Sequence, residues 1–193
     1  MMRAYCSACR YPQNMCLCAH ITHIENKTPI LILQHPKESK HPLNTIHIAK
    51  QCLKTMEIRH TPIDDDLCHM WTKDAALLFP HHQSLPLPSD HKGPLLFLDA
   101  TWPKAQGMRL SIPSLRTKTC YHIPVPKKGE YTIRKAVRPN ALSSIEAIAA
   151  ALEHVERSPN KYDALRSAFR ARIQMQIQHI DPIVFQKNYC AKS

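Results

Sequence analysis

Three runs of four uninterrupted apolar residues set the pattern of this chain: Ile30-Leu31-Ile32-Leu33, Ala76-Leu77-Leu78-Phe79 and Leu95-Leu96-Phe97-Leu98. Each has the length of a strand, has proline at or near one boundary, and lacks the polar alternation of a half-exposed sheet. Each is therefore expected to be covered on both faces. Cys120-Tyr121-His122-Ile123 gives a weaker fourth strand, and residues 57–60 a fifth. Between them, residues 43–56 carry Ile48, Ala49, Cys52, Leu53 and Met56 at helical spacing. Such alternation argues an α/β fold, a mostly parallel sheet with helices on both faces. Two later helices are clearer: one aligns Ile145, Ile148, Ala149, Leu152 and Val155, the other Tyr162, Leu165, Phe169, Ile173, Ile177 and Ile180. Residues 80–93, with Pro86, Pro88 and the adjacent His81 and His82, read as a loop.

At 193 residues, 44% hydrophobic and 21% charged, the chain is expected to form one globular domain with at most a small appendage. Its three glycines, Gly93, Gly107 and Gly129, are far apart, which excludes a G-x-G-x-x-G dinucleotide turn and a G-x-x-x-x-G-K phosphate loop. Twenty-six Lys and Arg against 15 Asp and Glu leave a net charge of +11, and 13 histidines add to it in acid. The excess gathers at 103–118, 127–138 and 157–172, suited to nucleic-acid phosphates before an anionic membrane. On the last helix Lys161, Arg166 and Arg170 lie off the apolar stripe, as a basic ridge that is either solvated or tracks phosphates. No apolar run approaches the ~18 residues of a spanning helix, and the N-terminus lacks a signal-peptide core. A soluble cytoplasmic protein is expected.

Cys6, Cys9, Cys16 and Cys18 form a C-x-x-C followed by a C-x-C in the first eighteen residues. In a reducing compartment such thiols converge on one tetrahedral ion, and thiolate sulfur favours Zn2+. The turn-rich Tyr11-Pro12-Gln13-Asn14 can bring the two halves together, with His20 or His23 as alternative ligands. Four thiolates leave no open position, so this zinc would be structural. Cys52, Cys68, Cys120 and Cys190 are scattered singly and read as buried or incidental. The chain thus divides into a four-cysteine zinc-binding segment, 1–26, and a main domain, 27–193.

In open α/β sheets ligands gather beyond the carboxyl ends of the strands. There this chain is polar: Gln34-His35-Pro36-Lys37-Glu38 after the first run, Asp99-Ala100-Thr101-Trp102 after the third, and Pro124-Val125-Pro126-Lys127 after Ile123. Asp99 sets an acceptor beside a flat indole, an arrangement suited to a nucleobase. The same residues also suit a helix start, with Asp99 or Thr101 capping a helix opened by Pro103 and Trp102 in the core. Ser143-x-x-Glu146 is likewise a capping box, and a helix start aimed into the site offers amide N–H groups to a carboxylate or ribose.

Asp99-x-Thr101-Trp102 with Ala105, Gln34-His35-Pro36-x-Glu38, Arg134-Lys135 with Leu142-Ser143-Ser144-Ile145-Glu146-Ala147, and the leading cysteines together resemble the DTW-domain family, in order and over nearly the whole chain. The resemblance implies a tRNA-uridine aminocarboxypropyltransferase related to the SPOUT-type knotted RNA-modifying enzymes. It implies a SPOUT-like catalytic domain over 27–193 with a C-terminal trefoil knot, which periodicity alone would never suggest. It implies S-adenosylmethionine as co-substrate and tRNA as partner. The chain departs from the family's usual S-T-x-E-A, since Ser144 keeps the hydroxyl and loses the methyl. The implied reaction joins N3 of a uridine to the aminocarboxypropyl arm and releases 5′-methylthioadenosine. It needs a base for N3–H and an oriented arm. Asp99 is the candidate base, with Thr101 orienting it and Trp102 stacking on uracil or adenine; alternatively Asp99 holds the ligand's ammonium group. Gln34, His35, Pro124, Arg134, Leu142, Ser143, Ser144 and Glu146 are the candidate cofactor-binding residues, with Arg134, Lys135 or Arg138 on the cofactor carboxylate. Two other functions stay open: a SPOUT-type methyltransferase leaving S-adenosylhomocysteine, and a zinc-bearing RNA-binding module without chemistry.

Overall fold

The computed structural model describes residues 4–39, 44–124 and 142–178. Along the chain run β1 (Ile30–Gln34), α1 (Pro36–Ser39), α2 (Ile46–Cys52), β2 (Met56–His60), α3 (Asp65–Thr72), β3 (Ala76–Leu78), β4 (Leu85–Pro86), β5 (Leu95–Asp99), α4 (Trp102–Ser111), α5 (Pro113–Arg116), β6 (Cys120–His122), α6 (Ser144–Glu156) and α7 (Asp163–Gln178). The strands form one six-stranded sheet in the order β2-β1-β5-β3-β6-β4, and every pairing is parallel.

The apolar runs behave as doubly covered strands. Successive side chains of a strand point to opposite faces. Ile30, Ile32, Ala76, Leu78, Leu95 and Phe97 pack on one face with α2, α6 and α7, while Leu31, Leu33, Leu77 and Leu96 pack on the other with Cys68, Ala105, Met108 and Leu115 of α3, α4 and α5. Helices therefore cover both faces, as the sequence pattern argues. No described helix is long and apolar enough to cross a membrane.

Three elements depart from the expectations. The helix expected over 43–56 spans only Ile46–Cys52, because Leu53 turns to extended backbone, bridges Ile24, and lets Met56 open β2; Leu43 lies outside the described residues. The 80–93 loop contains β4, a two-residue edge strand paired with Tyr121 and His122, where proline's missing N–H is tolerated. Helix α3 buries only Cys68 and Thr72, so no apolar stripe marks it; Asp64 caps it by accepting from the Leu67 N–H at 3.1 Å.

The N-terminal segment shares the main core, with Cys9, Tyr11, Leu17 and Ile24 buried in the cluster that contains α2, α6 and α7. The basic ridge on α7 is largely spoken for. Arg166 binds both carboxylate oxygens of Glu153 on α6 at 2.6 Å, with its side chain 12% exposed, and Lys161 pairs with Glu156 at 2.6 Å. Such a bidentate pair positions α7 against α6.

Glu156 also clasps the chain before β1, accepting from the Lys27 and Thr28 N–H groups at 2.7 and 2.9 Å. Burial opposes its ionisation, but Lys161, the Thr28 amide and Tyr162 outweigh it and hold the carboxyl below its ordinary value. A depressed carboxyl stabilises the fold above the unfolded-state value, and that contribution is lost as pH falls through the folded-state value. Glu156→Gln is expected to cost about 1–3 kcal/mol at neutral pH, read as a lower urea midpoint with unchanged slope. The difference from the parent protein should shrink on acidification.

Candidate active site and metal centre

Register brings the first two polar segments together. Gln34 ends β1 directly beside Asp99 at the end of β5, although the two lie far apart in sequence. Gln34, 3% exposed, donates from Nε2 to Asp99 Oδ2 at 2.8 Å, and the His35 N–H donates to the Asp99 carbonyl at 3.0 Å. From the far side of the chain, the Ser144 hydroxyl at the first turn of α6 donates to Asp99 Oδ1 at 2.8 Å. One carboxylate is thus held on both oxygens by two different segments, which fixes its plane.

The capping box forms as its spacing implies. The Ser143 N–H and Oγ donate to Glu146 Oε2 at 2.8 and 2.7 Å, and the Glu146 N–H donates to Ser143 Oγ at 3.3 Å. This anchors the start of α6 and, through it, the Ser144 hydroxyl on Asp99. Glu38, only 8% exposed, sits at the end of α1 and is met by Lys104 Nζ at 3.2 Å. His35 Nδ1 accepts from the Lys37 N–H at 3.2 Å.

Thr101 occupies the N-cap position of α4, but its side chain does not cap the helix. The next residue, Trp102, stacks on Phe79 with ring centroids 4.7 Å apart and an interplanar angle of 7°. Phe79, His81, His82, Trp102, Gln106 and Arg109 line a cavity of about 260 Å³. The Arg109 guanidinium lies 5.6 Å from the Phe79 ring centre. Burial, then the charges of Arg109 and His82, hold His81 below its ordinary value, so Arg109 is the lasting positive charge here. Sequence reasoning missed this shelf except for Trp102. Its signal was present, since Trp102, Gln106 and Arg109 follow one another at four and three residues, one face of a helix.

The four N-terminal cysteines converge as expected. All four Sγ atoms lie within 4.8 Å of one another, with Cys6–Cys18 at 3.6 Å and Cys9–Cys16 at 3.7 Å. A tetrahedral ion with Zn–S bonds of about 2.3 Å needs sulfurs about 3.8 Å apart, so the donor set fits a structural metal. The amides of Cys9 and Ala8 draw the Cys6 thiol down to about 6, whereas the neighbouring Cys16 and Cys6 sulfurs push Cys18 up to about 12. One thiolate forms readily; four together call for a cation. Neither His20 nor His23 joins the cluster. Cys52, Cys68 and Cys120 are buried, and Cys190 lies outside the described residues.

Of the candidate site residues, Gln34, His35, Asp99, Ser143, Ser144 and Glu146 meet in one place, with Leu142 leading into it and Thr101 and Trp102 opening the adjacent helix. Pro124 is exposed just beyond β6, two strands away from β5. Arg134, Lys135 and Arg138, with the whole 127–138 basic stripe, lie outside the described residues.

Fold and site together define an α/β protein whose parallel sheet carries a polar side-chain cluster at its carboxyl edge, joined to a four-cysteine cluster. The chain belongs to the DTW domain family, whose sequence model matches residues 3–177. It is similar to proteins named tRNA-uridine aminocarboxypropyltransferase 2: the one from Macaca fascicularis is 25% identical over 209 residues, covering 99% of this chain and 70% of the relative. The one from Mus musculus is 23% identical over 207 residues, covering 99% and 70%. The one from Drosophila melanogaster is 28% identical over 172 residues, covering 81% and 68%. No solved structure matches.

Proposed function

We propose that this protein is a tRNA-uridine aminocarboxypropyltransferase. It transfers the 3-amino-3-carboxypropyl group of S-adenosylmethionine to N3 of a uridine in tRNA and releases 5′-methylthioadenosine. The observation that carries the reading is the meeting of three separate motifs on one carboxylate: Gln34 and Ser144 bind the two oxygens of Asp99. Family membership and the shared name of the three relatives support it. The same reading includes the SPOUT relationship with its knot, and a cytoplasmic enzyme.

Bound S-adenosylmethionine would supply a carbon activated by its sulfonium. The chain's own residues have the remaining tasks. Asp99, fixed in orientation by Gln34 and Ser144, takes the proton of uridine N3 as the new N–C bond forms. Its negative charge, with that of Glu146 close by, suits a co-substrate whose sulfonium and ammonium groups outweigh its one carboxylate. The capping box occupies the Ser143 and Glu146 amides, so the Ser144 and Ile145 N–H groups have no partner within α6 and are available to that carboxylate. Trp102 offers its indole to a base, and Thr101, two residues after Asp99, orients that carboxylate. The four cysteines would hold zinc as a closed structural centre, with no part in the chemistry.

Mass spectrometry of nucleosides from tRNA incubated with the protein and S-adenosylmethionine tests this directly. The expected products are 3-(3-amino-3-carboxypropyl)uridine and 5′-methylthioadenosine in equal amounts. S-adenosylhomocysteine with a methylated base would overturn the reading in favour of a methyltransferase, and tRNA binding without product would leave an RNA-binding module. Binding of tRNA should also weaken with salt, with a slope of log affinity against log salt on the order of −3 or steeper.

A further inference from the structure

We propose that the shelf of Phe79, His81, His82, Trp102, Gln106 and Arg109 docks a nucleotide of single-stranded RNA flanking the target uridine, with a base on the Trp102–Phe79 stack and its phosphate on Arg109. The inference rests on the tRNA-modifying reading and adds to it where the RNA strand lies.

Position comes first. Trp102 follows Asp99 by three residues, and Trp102, Gln106 and Arg109 form a row along α4 that leads away from the carboxylate. Phe79 and the two histidines follow β3, which pairs with β5, so shelf and carboxylate share one edge of the sheet. A strand whose uridine reaches Asp99 would have its neighbour beside this row.

Chemistry comes second. Two parallel aromatic rings and a guanidinium combine stacking with positive charge, the pair of features by which single-stranded nucleic acid is held without readout of sequence. Among the described residues Arg109 has no carboxylate partner. It meets the Phe79 ring, the Cys120 thiol and the Arg116 carbonyl, the last at 3.4 Å, and its charge is not neutralised by any of them. A guanidinium placed this way is suited to phosphate oxygens.

Charge and size separate the shelf from the co-substrate. S-adenosylmethionine is a net cation and belongs with Asp99 and Glu146, whereas a cationic shelf attracts a polyanion. The cavity, about 260 Å³, falls short of the roughly 300–1,000 Å³ that encloses a drug-sized ligand, and exposed His82 and Gln106 leave it open at the rim. It suits one nucleotide of a longer chain.

The chain has two tryptophans, so Trp71→Phe leaves Trp102 as the sole indole fluorophore. Titration of that protein with a short oligouridylate should quench Trp102 emission to saturation. Adding Arg109→Gln should weaken the oligonucleotide about 10-fold and make the salt slope shallower by about one, as for the loss of one phosphate contact. Affinity for S-adenosylmethionine, measured by calorimetry, should stay unchanged in Arg109→Gln. With tRNA, the Arg109→Gln change should raise KM and leave kcat near that of the parent. Should Arg109→Gln fail to fold, His82→Ala, at an exposed position, should also weaken oligouridylate binding. Absence of quenching, or quenching reversed by S-adenosylmethionine alone, overturns the shelf assignment even where the enlarged uridine still forms. Quenching that depends on Arg109 with no modified uridine sustains the shelf and sinks the transferase reading instead.

Discussion

Asp99→Asn is expected to lower formation of the enlarged uridine by about 10²- to 10⁴-fold, because a neutral amide does not take the N3 proton. The substitution is nearly isosteric, and its side-chain carbonyl still accepts one of the two hydrogen bonds, from Gln34 or Ser144. Cofactor binding should therefore persist, and the urea midpoint should fall by no more than corresponds to about 1–2 kcal/mol. The measurement is simultaneous release of 5′-methylthioadenosine and appearance of modified uridine, since release alone can be hydrolysis. Turnover near that of the parent would remove Asp99 as the base. Lost binding of S-adenosylmethionine, with the fold intact, would reassign it as the anchor of the ammonium group. Ser144→Ala offers a graded comparison: it deletes one donor and loosens the carboxylate without removing it, so its loss should be smaller than that of Asp99→Asn.

Removal of the metal should have the largest effect on stability. Purified protein is expected to hold about one equivalent of zinc, and Cys6→Ser with Cys18→Ser should abolish it. Structural zinc contributes about 10–16 kcal/mol of binding free energy in small peptides, and binding energy of that kind is folding energy where no site preexists. Here Cys9 and Leu17, both fully buried, tie the segment to the main core, so its loosening would open the face packed on α7. Loss of even about 4 kcal/mol would lower Tm by about 8 °C or more for a chain this size. Unchanged zinc content in the double variant, by elemental analysis, would overturn the assignment.

The strands were legible because burial on both faces leaves an uninterrupted apolar signature, and β1, β3 and β5 start where the runs start. Helices α6 and α7 were legible for the complementary reason, a long apolar stripe at helical spacing. Helix α3 was not, because two small buried groups and an Asp cap suffice to hold it. Strand β4 was hidden by its length and its proline, since its existence depends on β6 and not on its own two residues. The site divides the same way. Asp99 could be placed at a strand end from the chain alone, yet its neighbours could not: which strand lies beside β5 is decided by tertiary packing, and only the order β1-β5 puts Gln34 against it. Arg166 shows the reverse error of sequence inspection. A cation off an apolar stripe looks solvated, but one helix away Glu153 was waiting for both its nitrogens.

The adjacency of β1 and β5 also governs when function arises during folding. Between those strands the chain makes a long excursion through α1, α2, β2, α3, β3 and β4 before returning to pair in parallel. Closing such a loop is entropically expensive and is rewarded only at the end, so non-local parallel pairing is among the slower events of a domain of this kind. The third donor, Ser144, arrives later still in the chain, with α6. A nascent chain that has made only β1 and β2 carries no assembled carboxylate, and no short fragment can be excised that keeps all three partners. Competence is thus a property of the finished topology: the contacts that hold Asp99 in place join three segments distant in the chain.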